Sequence, residues 1–271
     1  MTVAPARPAS TVVLLRPSPS RFDVFLVRRH DKLAFMGGAY VFPGGRVDEA
    51  DRAFGEAHAF HAAAVRELFE EAGILLARVR GADGFNVDNA EAAVRFSSYR
   101  HSLAEGSTTL REVLQKEELE PDFGALQWFA HWITPEIEIK RFDTRFFVTV
   151  VPAEQEAVHD DRETTHGEWM DPERAVERCR RDEIALPPPT WTTLRALARF
   201  ATVDDVMAWA RARTVVPVQP GFIRNEQVTM LTLPGDPTYP SMEGFDTPEE
   251  TRFILANGRW RPVAAGPPDT A

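Results

Sequence analysis

The sequence predicts an α/β fold, and three observations predict it. Two β-branched runs, Thr11–Arg16 and Phe22–Arg28, flank the turn signal Pro17-Ser18-Pro19-Ser20 and read as a hairpin. A helix of about His58 to Leu76 follows with an apolar and an acidic side. Beyond a second helical stretch, the strands Leu126–Ile133 and Arg145–Val151 precede further helices, so strands and helices alternate along the chain.

Each element has a local reason. Met1–Ala9 is small and Pro-rich, a loose start. Phe35–Gly38 is a loop, and Ala39–Phe42 a brief strand ending at Pro43-Gly44-Gly45. Arg46–Glu56 is a polar, acidic loop ahead of the long helix, whose last turn Gly73 weakens. Asp88–Leu103, capped by Asp88, and Thr109–Lys116 read as helices inserted over the core. Glu163–Met170 is a weaker strand, and Asp171-Pro172 opens a helix to about Arg181 with a cap and a proline where helices favour them. Leu186–Pro189 punctuates the chain before the helices Thr190–Phe200 and Val203–Ala212. Val215–Val218, Gln227–Leu233, Thr251–Leu255 and Arg259–Pro262 are short strands, with Asn257-Gly258 as a hairpin turn. A disordered tail is expected from Ala264. The reading is therefore a core over 1–212, with a helical insertion at about 77–124, and an accessory β extension and tail over 213–271.

The 271 residues are 44% hydrophobic and 27% charged, ordinary for a globular protein with a buried core. The net charge of −10, from 41 acidic against 31 basic residues, argues against bulk nucleic-acid binding, which needs a basic face. An acidic protein that handles an anion usually needs a cation between them, which points to a divalent metal. The one cysteine, Cys179, excludes an internal disulfide and a cysteine-based zinc site. No apolar h-region or bilayer-length stretch is present, so the expectation is a cytoplasmic protein with no membrane partner.

The candidate chemistry sits on one helix. Wound at 3.6 residues per turn, Val65, Leu68, Phe69, Ala72, Leu75 and Leu76 collect on one side, and Glu67, Glu70 and Glu71 on the other. An acidic stripe facing solvent would look the same. The preceding Phe42-Pro43-Gly44-Gly45 decides for chemistry: a strand ending in a glycine pair lets backbone approach a ligand, and three clustered carboxylates suit a hard cation such as Mg²⁺. Trp128 and Trp132, four apart on a strand, are expected to share a face.

Arg66-Glu67-Leu68-Phe69-Glu70-Glu71-Ala72-Gly73-Ile74 resembles the second half of the Nudix box, G-x5-E-x7-R-E-U-x-E-E-x-G-U with U a bulky aliphatic, and Gly45 resembles its opening glycine. The resemblance, to the long-loop coenzyme A diphosphatase subgroup of peroxisomal type, runs from about Thr11 to Phe200. It is supported by Phe35–Gly45, Trp132-Ile133-Thr134-Pro135 and Arg141–Phe147. It implies an α/β/α sandwich on a mixed sheet and a metal-dependent hydrolase that cleaves a phosphoanhydride in a nucleotide-linked small molecule, CoA or acyl-CoA. The alternatives are an ADP-ribose or dinucleotide pyrophosphatase, and a nucleotide-binding module without catalysis.

The implied roles follow residue by residue. Glu67, Glu70 and Glu71, with the carbonyl of Gly44 or Gly45, would hold Mg²⁺ or Mn²⁺. Glu67, Glu70 and Glu163 are the catalytic candidates, Glu163 because it stands six residues before Trp169. Arg66 would buttress the carboxylates. Arg28, Arg141, Phe42 and Gly45 are the substrate contacts; Arg29 is a further candidate for a substrate phosphate, ranked below them because a solvated surface arginine would look the same. The family includes dimers, which leaves a homodimer open. Two positions depart from the pattern. Twenty residues separate Gly45 from Arg66 where the box has thirteen, so counting back from Arg66 places His58 where the family has Glu, with Glu56 or Glu49 as replacements. Upstream, Gly38 stands four before Phe42 as in the subgroup, but Ala34 takes the place of its arginine.

Overall fold

The computed structural model describes residues 3–31, 37–81, 90–159, 164–240, 242–245 and 247–264. The chain opens with the hairpin of β1 (Arg7–Pro17) and β2 (Phe22–Arg29), paired antiparallel from Leu15↔Val24 to Pro17↔Phe22. The short strands β3 (Tyr40–Val41) and β4 (Gly44–Arg46) follow, then two 3-10 turns and helix α1 (Ala59–Ala72). The helix stops at Ala72, four residues before the expected Leu76, because Gly73 takes a left-handed φ of 72° and its N–H donates to the Phe69 carbonyl.

An insertion comes next: β5 (Ala77–Val79), α2 (Ala90–Ala104), α3 (Leu110–Lys116) and β6 (Leu119–Pro121), with β5 and β6 paired apart from the main sheet. Thr109 caps α3 in a capping box with Glu112. Asp88, expected to cap the preceding helix, lies outside the described residues, as does the tail beyond Ala264. The core resumes with β7 (Gln127–Ile133), β8 (Phe142–Val150), β9 (Thr164–Met170) and the helices α4 (Pro172–Arg180), α5 (Pro188–Leu197) and α6 (Val203–Ala212). Asp171 caps α4 by accepting from the Glu173 and Arg174 amides, at 2.8 and 3.1 Å.

The main sheet is mixed. Its order is β10-β7-β8-β1-β2-β3, where β10 is Pro217–Val218, with β4 added to β1 and β9 to β2. Strand β1 runs parallel to β8 over nine residue pairs. Val12, Val13, Leu14 and Leu15 have no exposed surface, so this central strand is covered on both faces. One face packs on α1 and the insertion through Val12, Leu14, Leu68 and Phe69; the other packs on α4, α5 and α6 through Val13, Leu15, Trp191 and Leu194. The result is the expected α/β/α sandwich.

Strand β7 holds a surprise. Its register against β8 shifts between Trp128 and Ala130, and a bulge sends later side chains to the opposite face. Trp132 joins the cluster under α5, whereas Trp128 packs against the cluster under α1, so the two tryptophans do not share a face.

The last four strands, β11 (Gly221–Arg224), β12 (Thr229–Thr232), β13 (Arg252–Ala256) and β14 (Arg259–Val263), form a separate antiparallel sheet. The β13–β14 turn is Asn257-Gly258, both with positive φ, as a two-residue hairpin demands. The extension shares the core's hydrophobic cluster: Leu231, Leu233 and Phe253 are buried in it, and Phe253 packs edge-on against Trp191 at 5.6 Å.

Asp236 pins this sheet. Its fully buried carboxylate accepts from Arg252 Nε at 2.6 Å and from the amide and hydroxyl of Thr238 at 2.9 and 2.7 Å. Burial alone would raise its pKa, but these donors outweigh it and hold the carboxyl below its ordinary 3.8. A depressed folded pKa gives stability that is complete above the unfolded value and fades as pH falls through the folded one. Asp236→Asn is therefore expected to lower the urea midpoint at neutral pH, with the gap to wild type narrowing on acidification below about pH 4. A gap independent of pH would contradict this.

Candidate active site

The site grows from the end of β3. Phe42 is buried, Pro43 gives its carbonyl to the Val12 amide at 2.8 Å, and Gly44-Gly45 enter β4, paired to Thr11 and Ser10 of β1. Both glycines are required by space. A Cβ on Gly44 would strike the backbone of Ser10 and Thr11; a Cβ on Gly45 would run into the Glu67 carboxylate. The substitutions should therefore part ways. Gly44→Ala should cost on the order of 1–3 kcal/mol of stability, because backbone must move. Gly45→Ala should leave the fold standing, since a flexible side chain can yield, but lower turnover by roughly 10²-fold through the displaced Glu67. Denaturation and steady-state kinetics on the two variants check both.

Helix α1 packs against this turn and is buried nearly all round; even Glu67 and Glu70 keep only 14% of their side-chain surface exposed. The acidic side therefore faces protein, not bulk solvent. Glu71 accepts from the Gly44 amide at 2.9 Å. Arg66 lies among the carboxylates. It donates from Nη1 to Glu67 at 2.9 Å and Glu70 at 3.3 Å, from Nη2 to the Arg46 carbonyl at 2.8 Å, and from Nε and Nη2 to both oxygens of Asp51, at 3.0 and 2.9 Å. Burial works against the guanidinium's charge, but Asp51, Glu67 and Glu70 together hold it firmly protonated. Burial also lifts the Glu70 carboxyl above its ordinary range; Arg66 offsets this in part, while Asp51 and Asp48 add to it.

Asp51 is the residue the sequence reading missed. It is 1% exposed and fork-paired with Arg66, the only carboxylate of the preceding loop that is buried. His58, reached by counting back from Arg66, instead stacks on Phe123 at 5.2 Å. Glu49 and Glu56 are exposed and bind Arg52. Counting forward from Gly45 would have found the answer: six residues on stands Asp51, so the seven extra residues fall after it, in the second 3-10 turn and the start of α1.

The donor set fits a hard divalent cation. It is all carboxylate oxygen, and it sets several acidic groups around one guanidinium in a low-dielectric setting. Among the described residues no three metal-ligand side chains already converge. Glu67 and Glu70 turn toward Arg66, and Glu71 toward Gly44. Glu163, the fourth acidic candidate, lies outside the described residues, as do Ala34, Phe35 and Met36 of the upstream signature.

Beside Gly44 opens a cavity of about 390 Å³, lined by Thr11, Arg29, Val41 and Phe42 at the turn and by Trp132, Phe142, Phe146 and Pro187–Thr190 beyond it. Arg29, ranked lowest of the candidate arginines by sequence, lines this cavity. Its Nε is buried with no hydrogen-bond partner among the described residues, an unmet donor at the cavity edge. Arg29 continues the two-residue period of Phe25 and Val27 along β2, which sets it on the α1 face of the sheet, opposite to Arg28. Arg28 lies instead in a neighbouring polar recess of about 470 Å³ with Tyr40, His166, Arg178 and Arg259, and pairs with Asp31 at 2.7 Å. Arg141, expected at the substrate, is buried and holds the chain together: it donates to the carbonyls of Thr134 and Ala4 and to Gln219 Oε1. It is not among the residues that line the cavity.

Among the described residues no helix is long and apolar enough to cross a membrane. Cys179 is buried, and that burial raises its thiol pKa, so it is packing and no nucleophile.

Known proteins place this architecture. The sequence is 26% identical to the acyl-coenzyme A diphosphatase NUDT19 of Xenopus laevis, over 82% of this chain and 72% of the relative. It is 27% identical to the acyl-coenzyme A diphosphatase NUDT19 of Homo sapiens, over 94% and 84%. The crystal structure of a NUDIX hydrolase from Alicyclobacillus acidocaldarius matches with a TM-score of 0.69 at 25% identity, covering 76% of this chain and 97% of that one. The sequence model of the NUDT19 Nudix domain matches residues 51–197, more than half of the chain and all of α1 with Asp51 and Arg66. The chain belongs to the NUDT19 Nudix domain family and is a Nudix hydrolase.

Proposed function

We propose that this hydrolase cleaves the diphosphate of coenzyme A and its acyl thioesters, giving two phosphate-ended products, with Mg²⁺ or Mn²⁺ as cofactor. The observation that carries the reading is the buried carboxylate face of α1 pressed against Gly44-Gly45 at the mouth of a cavity that also presents the unmet Arg29 donor. The names of the relatives supply the substrate class.

Glu67, Glu70 and Glu71 would hold the cation, with a carbonyl of the glycine pair. When bound, it would neutralise the diphosphate and lower the pKa of an attacking water. This chain's own residues do the rest. Arg66, itself held by Asp51, fixes Glu67 and Glu70, and the Gly44 amide fixes Glu71. Gly44 and Gly45 keep the turn clear of side chains. Arg29 would donate to a phosphate oxygen by a charge-assisted hydrogen bond. A glutamate of the α1 face, or Glu163, would accept the proton of the water. The polar recess with Arg28 and Arg259 would take the phosphorylated nucleotide end.

Mass spectrometry of products tests the assignment. The protein is incubated with either metal and CoA, an acyl-CoA, ADP-ribose, NADH and dinucleoside polyphosphates. The expected products from CoA are adenosine bisphosphate and phosphopantetheine. Turnover confined to ADP-ribose or a dinucleotide would replace the substrate, and tight binding with every substrate left intact would replace the enzyme with a binding module.

A further inference from the structure

The C-terminal sheet lies outside the stretch matched by the family's domain model, which ends at 197. Its inner face has two parts. Leu231 and Phe253, cross-strand partners, are buried against Trp191 and the core. Leu255 and Trp260 are the next partners along the same face; Trp260 is partly buried against the same cluster, and Leu255 stays outside it. Both line the cavity that begins at Gly44, and Leu255 keeps 40% of its surface exposed. A large apolar side chain held open over a cavity is informative in a way that scattered surface leucines are not.

The two recesses beside β3 differ in chemistry. The one with Arg28, Arg178, Arg259, His166 and Glu183 is polar, with Arg28 paired to Asp31 and Arg178 to Glu168 and Glu183, and offers hydrogen-bonding groups to a phosphorylated nucleoside. The one at Gly44 turns apolar away from the glycine turn: Trp132, Phe142 and Phe146 line the core side, and Leu231, Leu255 and Trp260 the side of the C-terminal sheet. Thr134, Glu138, Thr144 and Thr190 also line it and could meet the amides of a pantetheine arm, whereas a hydrocarbon chain at the Leu255 and Trp260 end needs no hydrogen bonds. A substrate whose diphosphate lies at Gly44 and Arg29 would then extend its nucleotide one way and its pantetheine arm, with the acyl chain beyond it, the other.

We infer that the C-terminal sheet is the acyl-selecting wall of the substrate cavity, with Leu255 and Trp260 contacting the fatty acyl chain of an acyl-CoA. The inference rests on the CoA reading above and adds a specificity determinant to it. Burying one methylene contributes about fourfold in affinity, so an apolar wall makes preference climb with chain length until the cavity is full.

The experiment measures kcat/KM for free CoA and for a series from acetyl- to palmitoyl-CoA, on wild type, Leu255→Asp, Trp260→Ala and Leu255→Trp. In wild type the ratio of long-chain to free CoA should exceed unity. Leu255→Asp and Trp260→Ala should cut that ratio at least tenfold, chiefly through KM. Leu255→Trp, which keeps the apolar contact but fills space, should move the optimum to shorter chains. Leu255 is exposed, so its variants should melt with wild type. Ratios and optimum unchanged in all three variants would overturn the inference while leaving the CoA reading intact. Wild-type protein that cleaves neither CoA nor any acyl-CoA would overturn the CoA reading and the inference with it.

Discussion

Glu70→Gln and Glu71→Gln should each lower turnover by about 10²-fold or more, with melting temperatures close to wild type. The expectation of an intact fold comes from geometry. A glutamine at 71 still offers an oxygen to the Gly44 amide, and one at 70 still accepts from Arg66. What each substitution removes is a negative charge from the α1 face; at Glu70 burial and the neighbouring Asp51 and Asp48 disfavour that charge, and Arg66 offsets them in part. Under the proposed function the charge at both positions serves to hold the cation. Steady-state kinetics at saturating metal, with thermal melts alongside, gives the answer. Wild-type turnover by both variants would remove these two from the machinery.

Arg66→Ala should have the opposite signature, unfolding the protein more than it silences chemistry. Arg66 and Asp51 are 8% and 1% exposed at their side chains, and the arginine ties Asp51, the Arg46 carbonyl, Glu67 and Glu70 into one knot. Its loss strands the Asp51 carboxylate in the interior, and breaking a buried pair from one side costs about 3–5 kcal/mol. Asp51→Asn, which keeps the shape but not the charge, should cost less, because one amide oxygen can still accept from the guanidinium. Urea denaturation ranks the three proteins. An Arg66→Ala variant as stable as wild type would mean that the knot does not hold the glycine turn to the helix.

The sequence carried most of the site because helical spacing is local. Glu67, Glu70 and Glu71 share a face at any reasonable helix position, and the glycine pair marks a close approach without knowledge of the partner strand. What stayed hidden depends on long-range register. The bulge in β7 that parts Trp128 from Trp132 is set by pairing with β8. Arg141 looked like a phosphate contact because an arginine's partners cannot be read from its neighbours in sequence; the carbonyl of Ala4, 137 residues away, is one of them. Asp51 was legible and was overlooked, since the insertion could be placed on either side of it. The C-terminal strands were visible as strands, but their inner face has meaning only once it lies over the cavity.

Calorimetric titration of Mn²⁺ into the protein, paired with product analysis of CoA cleavage under the same conditions, tests the central claim most directly. Wild type should bind the ion and cleave CoA, chelator should abolish cleavage, and Glu67→Gln, Glu70→Gln and Glu71→Gln should weaken both together. Cleavage that persists in chelator, or metal binding unchanged in all three variants, would contradict the assignment of the α1 carboxylates.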